Sequence, residues 1–204
     1  MKKPLSLLMT ALMLVFISAC GGVGDAPQAT TGEAVAADAA TATGVSYMID
    51  AEASELNWRG AKVTDAHDGG FNAFSGTIMV DGEEVTGVEI EIDMTSMWSD
   101  SERLTGHLMS EDFFEVETYP KGLFALSSIT PGDSMHTAMG NLTMLDSTRG
   151  ISFPVDVAVV DENTVTASAD FIIDRQEWGI SYPGRPDDLI ADDVRIMFDV
   201  TARK

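Results

Sequence analysis

The chain has one cysteine, Cys20, among its 204 residues. An intramolecular disulfide is therefore excluded, and so is a cysteine-built metal cluster. Histidine is almost as scarce: His67, His107 and His136 stand far apart, and none forms a pair at metal-ligand spacing. Positive charge is short as well, with 12 Lys and Arg against 33 Asp and Glu and a formal net charge of −21. A surface of that sign repels nucleic acid and anionic lipid, so no nucleic-acid partner is expected. Glycine-rich phosphate loops and nucleophile elbows are missing, and no nucleophile–base pair is recognisable. The sequence thus predicts no catalytic residues, no metal site and no enzyme. Long apolar runs are missing too. The longest stretch, Leu5–Ile17, has 13 residues, whereas a membrane-spanning helix needs roughly 20.

What that short stretch does fit is a secretory signal. Lys2 and Lys3 precede it and small residues end it, as a cleavage site requires. Ile17-Ser18-Ala19-Cys20 resembles the bacterial lipobox, in which the cysteine is acylated and becomes the mature N-terminus. Residues 1–19 are then a lipoprotein signal peptide and Cys20 carries acyl chains, palmitate among them. Cleavage removes two lysines and takes the formal charge from −21 to −23. Several acyl chains give stable membrane anchoring without a basic patch. Gly21 in place of an aspartate at the sorting position points to the periplasmic face of the outer membrane. Residues 20–44 contain no aromatic residue and are rich in Ala, Thr and Gly. That composition predicts a disordered tether, which would lift the domain roughly 25–30 Å from the membrane.

Residues 45–204 are long enough for one domain with its own core. Alternation of apolar and polar residues dominates this part and predicts half-buried strands. Val88, Ile90, Ile92 and Met94 share one face, and so do Val165, Ala167, Ala169, Phe171 and Ile173. Val194, Ile196, Phe198 and Val200 repeat the pattern. Further strands are expected at 45–50, 55–63, 71–80, 123–129, 138–145 and 151–159. The expected class is all-β, with eight or nine strands in a single antiparallel barrel whose closure removes the open edges. Ser99–Phe114 breaks the alternation. Leu104 and Leu108 lie at i,i+4 after a capping Ser99 or Asp100, so a short helical lid is predicted, with a turn at Ser110 and with Phe113 and Phe114 pointing inward.

Five blocks in order then resemble the YceI-like family. They are Trp58-Arg-Gly-Ala-Lys62, His107 to Val116 (HLMSEDFFEV) followed by Tyr119-Pro120 and Phe124, Arg149 to Pro154 (RGISFP), and Asp174-Arg175-Gln-Glu-Trp178-Gly179-Ile180. Arg149 stands where many members have lysine. The resemblance implies a lipocalin-like, periplasmic barrel that holds a polyisoprenoid lipid, such as a quinone tail or prenyl phosphate, with no other cofactor. The residues expected to meet that ligand are Trp58, Phe71, Ile90, Ile92, Phe113, Phe114, Phe124, Phe153, Phe171, Trp178 and Phe198 as wall. Arg103, His107 and Arg175 are the polar candidates. Arg103 and His107 share a helical face at i,i+4; Asp112 is expected to pair with Arg175 or Arg103 and pin the lid. His67 reads as a loop residue. The competing reading is a structural or stress-related envelope lipoprotein whose barrel is filled by its own side chains.

Overall fold

The structure, a computed structural model, describes residues 22–35 and 42–204. Residues 1–21, which include the expected signal peptide and Cys20, and residues 36–41 lie outside the described residues. In chain order the elements are β1 (Thr30–Gly32), β2 (Val45–Ile49), β3 (Glu55–Lys62), β4 (Ala66–Phe71), β5 (Phe74–Asp81), β6 (Glu84–Asp93) and β7 (Met97–Ser99). The one α-helix among the described residues, α1 (Glu102–Leu108), follows. After it come β8 (Lys121–Thr130), β9 (His136–Met144), β10 (Ser147–Asp161), β11 (Thr164–Asp174), β12 (Gly184–Arg185) and β13 (Asp188–Arg203).

Hydrogen-bonded neighbours run from β2 through β5, β6, β8, β9, β10, β11 and β13 and return to β2, an eight-stranded closed antiparallel barrel. β13 has 16 residues and serves two partners: Ala202 and Arg203 face β2, while Ile190–Asp199 face β3. Alternation sets the direction of each side chain. Val88, Ile90, Ile92 and Met94 all point into the bore, because successive strand residues face opposite sides. One end of the barrel is closed by Tyr47, Val80, Val165, Val200 and Ala202, and the Tyr47 hydroxyl donates to the Glu162 carbonyl at 3.1 Å.

The lid covers the opposite end. Leu108, Phe113, Val116 and Ile180 are buried there with Trp58, Met94 and Met97. The helix begins later than its sequence predicts. The cap is Ser101, whose hydroxyl accepts from the Leu104 N–H, and neither Ser99 nor Asp100 fills that role. Ser99 instead donates to the Ser101 carbonyl, and Asp100 accepts from the Asp68 N–H.

Two further expectations need correction. The stretch 71–80 is not one strand, because Asn72 and Ala73 separate β4 from β5. His67 lies within β4, opposite Gly60, and not in a loop. The Gly69-Gly70 pair is extended backbone passing beneath two indoles. A Cβ on Gly69 would sit 2.2 Å from the Trp58 ring, so the site has room only for glycine.

The larger correction concerns the tether. Residues 22–35 do not trail free but lie along the barrel wall. Val23 is buried against Ala61 and Ile172, and Thr30–Gly32 pair antiparallel with Ser152–Gly150 of β10. Val35 and the Asn141 side chain exchange two hydrogen bonds, at 2.8 and 2.9 Å. Low apolar content argued for disorder, but strand pairing draws on backbone groups, which composition does not register.

Candidate functional site

The bore encloses a cavity of about 260 Å³. A void of roughly 10–15 Å³ already admits one water molecule, so this is no packing defect. Its wall is almost wholly apolar, drawn from the inward faces of β3, β5, β6, β8–β11 and β13 and from the lid. Phe153 and Phe171 stack inside it with centroids 4.3 Å apart and planes within 13°. Phe124 tilts against Phe153 at 5.8 Å, and Phe198 meets both stacked rings edge-on.

The structure brings Trp58, Phe71, Ile90, Ile92, Phe113, Phe114, Phe124, Phe153, Phe171, Phe198 and Arg175 to this wall. Trp178 stands behind it. Its ring is 1% exposed and its Nε1–H donates to the Leu142 carbonyl at 2.8 Å, so it holds the wall and does not face the cavity. Arg103 and His107 do not reach the cavity either. Leu104 and Leu108 pack inward, and the residues one position earlier on a helix are turned away by about 100°. Arg103 is exposed. His107 lies with its Nε2 2.8 Å from the Asp112 carboxylate, and its ring meets the edges of Phe113 and Tyr182 at 5.1 and 5.0 Å. The expected pairing of Asp112 with an arginine is thus replaced by one with His107.

Arg175 is the one charged wall residue among the described residues. Its guanidinium donates to the Ile180 carbonyl, to the Ala191 carbonyl at 3.0 Å and to the Asp192 carboxylate at 3.2 Å. Burial pushes this guanidinium below its ordinary value, while Asp192 and Asp174 act in the other direction. Those partners hold it across the turn after β11, so it pins the wall and is not left free for a ligand. On the outer face Asp170 is held below the usual carboxylate range by its bond to Arg195, and Asp188 likewise by Lys62 and Thr64. Among the described residues no His, Asp, Glu or Cys group is arranged to hold a metal, and no helix is long and apolar enough to cross a membrane.

The wall also contains residues that an aromatic-centred reading passes over. Leu56, Met94, Leu142, Ile151, Val194 and Ile196 all contribute. Their signal was strand parity: Leu56 shares a face with Trp58, Ile151 with Phe153, and Ile196 with Phe198.

Comparison with known proteins follows from this geometry. The family description "YceI-like domain" matches residues 47–202. Two proteins of Pseudomonas putida called "UPF0312 protein" are each 28% identical over 130 residues, 61% of this chain. The chain spans 64% of the length of those relatives. Among solved structures, BcnA of Burkholderia cenocepacia superimposes with a TM-score of 0.68 at 23% identity, covering 76% of this chain and 99% of that one. A polyisoprenoid-binding domain of Saccharophagus degradans, implicated in plant cell wall breakdown, gives 0.62 at 17%, covering 77% and 97%. The YCEI protein of Campylobacter jejuni gives 0.60 at 19%, covering 67% and 84%.

Proposed function

This chain belongs to the YceI-like family, and from that premise we propose that it binds the apolar chain of a polyisoprenoid lipid inside its barrel while an acylated Cys20 anchors it to the periplasmic face of a bacterial membrane, the outer membrane in preference. The observation that carries the reading is the apolar cavity itself. A barrel filled by its own side chains would have none, which counts against the structural alternative. Each methylene buried from water contributes about 0.8 kcal/mol, so a prenyl chain is held without any polar contact.

The wall also limits the head group. Each of the three nitrogens of Arg175 already donates to the protein, and no other charged residue faces the bore among the described residues. A phosphate drawn inside would lose its hydration without a partner, which costs far more than the chain returns. The cargo is therefore one whose head is uncharged, as in a quinone, or one whose charged head stays outside the bore.

Docking of residues 22–35 changes the geometry of anchoring. Cys20 precedes Gly22 by two residues, and an extended residue spans at most about 3.6 Å. An acyl group on Cys20 thus holds the barrel against the membrane surface instead of 25–30 Å above it. The test is organic extraction of protein purified from membranes, followed by mass spectrometry, with a prenyl lipid as the expected product. Repeated recovery of none, together with no uptake of added quinone, would refute the cargo. Failure of Cys20→Ser to abolish membrane retention would refute the anchor.

A further inference from the structure

The barrel wall is incomplete without its own N-terminal arm. β10 and β11 pair only from Asp156 opposite Ser168 to Asp161 opposite Thr164. Beyond Asp156 the two strands part, and residues 27–32 occupy the gap. On one bank Thr30, Thr31 and Gly32 lie opposite Ser152, Ile151 and Gly150. On the other bank the Ile172 N–H donates to the Pro27 carbonyl at 2.9 Å, and the Ala29 N–H donates to the Ile172 carbonyl at 2.8 Å. Ala29 is 7% exposed and joins the interior cluster of Ile151, Phe153, Phe171 and Ile173. Both banks of the gap are cavity wall, and the stacked rings of Phe153 and Phe171 reach toward each other across it.

We infer that residues Pro27–Gly32 are a movable stave closing a lateral portal between β10 and β11, through which an apolar chain passes into the cavity. The inference rests on the apolar-cargo reading above. Three features make this stave the one that moves. Between Val23, packed against Ala61 and Ile172, and Val35, bonded to Asn141, it is held by three register pairs and a single bridge, whereas β11 and β13 share eleven register pairs. Pro27 has no N–H to give, and residues 22–35 include no Leu, Ile, Met or aromatic side chain. The lid end, by contrast, is closed by Trp58, Met94, Leu108, Phe113 and Ile180, all buried. Displacing the arm exposes the Phe153–Phe171 pair, with Ile151 and Ile173 beside it, as the inner wall of the gap. Position matters as well, because the arm begins two residues after Cys20, so an anchored chain presents this portal beside the bilayer that would supply its cargo.

A reversible lock tests the inference. Thr30 and Ser152 are register partners, and neither side chain is buried. The full chain carrying Thr30→Cys, Ser152→Cys and Cys20→Ser has a single thiol pair, which oxidation closes across the gap. The probe is a ubiquinone with a two-isoprene tail, and the readout is quenching of tryptophan emission. Uptake at least tenfold slower in the oxidised form, restored by reductant, supports the portal. Equal rates with normal final occupancy overturn it while leaving the cargo reading intact. No uptake by either form, or by the chain without the pair, overturns both. Amide exchange gives a ligand-free check: Ala29 and Ile172 should exchange at least a hundredfold faster than Ala167 in the β11–β13 ladder. Equal protection would mean the arm is a fixed strand and would overturn the inference.

Discussion

Arg175 is 5% exposed, yet its bonds reach three residues at two points of the chain: Ile180, and the adjacent Ala191 and Asp192. Removing it leaves the Ile180 and Ala191 carbonyls without these donors, the first of them on a buried residue. Arg175→Ala should therefore cost about 3–5 kcal/mol, read as a fall in the urea midpoint. Arg175→Lys should restore little, because an ammonium cannot bridge three acceptors held in a planar fork. The sequence marked this residue through the Asp174-Arg175…Trp178-Gly179 block but could not name its partners. Two of them are backbone carbonyls, which look alike at every position until the chain is folded. Arg103 failed for the same kind of reason. Its helical face was legible, but which face turned inward was set by Leu104 and Leu108 meeting the bore.

The lid is a short element, so its placement depends on contacts more than on helix propensity. About two turns of helix have little intrinsic stability, and α1 is fixed by the Ser101 cap and by burial of Leu108. His107 adds the bond to Asp112 and edge contacts with Phe113 and Tyr182. His107→Ala should raise amide exchange at Phe113 and Phe114 by roughly three- to tenfold, equivalent to about 1 kcal/mol, with little change in global stability. Unchanged exchange would show that apolar packing alone holds the lid. Elements with clean alternation, such as β6 and β11, were read from sequence with their inward faces correct. β1 and β4 were not. Their glycines and small residues match the signature of turns and linkers, and only the neighbouring Trp58 ring and the open β10–β11 gap make them strands.

At the scale of the whole molecule the acid excess is tied to the fold through particular pairs. Arg203 holds the Asp50 carboxyl below its usual range, Arg195 does so for Asp170, and Lys62 for Asp188. A carboxylate whose folded pKa is depressed binds its proton first in the unfolded chain. Its contribution is therefore present above the unfolded value, about 3.9, and is lost as pH falls through the folded values. The urea midpoint should drop below about pH 4, and Asp170→Asn should make that acid limb shallower. A variant with an unchanged limb would mean the Asp170–Arg195 pair adds nothing to stability. Composition, strand period and five motif blocks were enough by themselves to determine an all-β barrel, its family and the aromatic part of its wall, since period-2 alternation is a local property of the chain. The Ile17–Cys20 run, which resembles a lipobox and underlies the proposed anchor, is equally local. Only the tertiary structure decided that the bore keeps an open apolar cavity, that Trp178 and His107 stand outside it, and that the arm after Cys20 is a stave and not a tether. Each of those outcomes depends on which surfaces are left unpaired once the ring of strands closes, and no single segment carries that information.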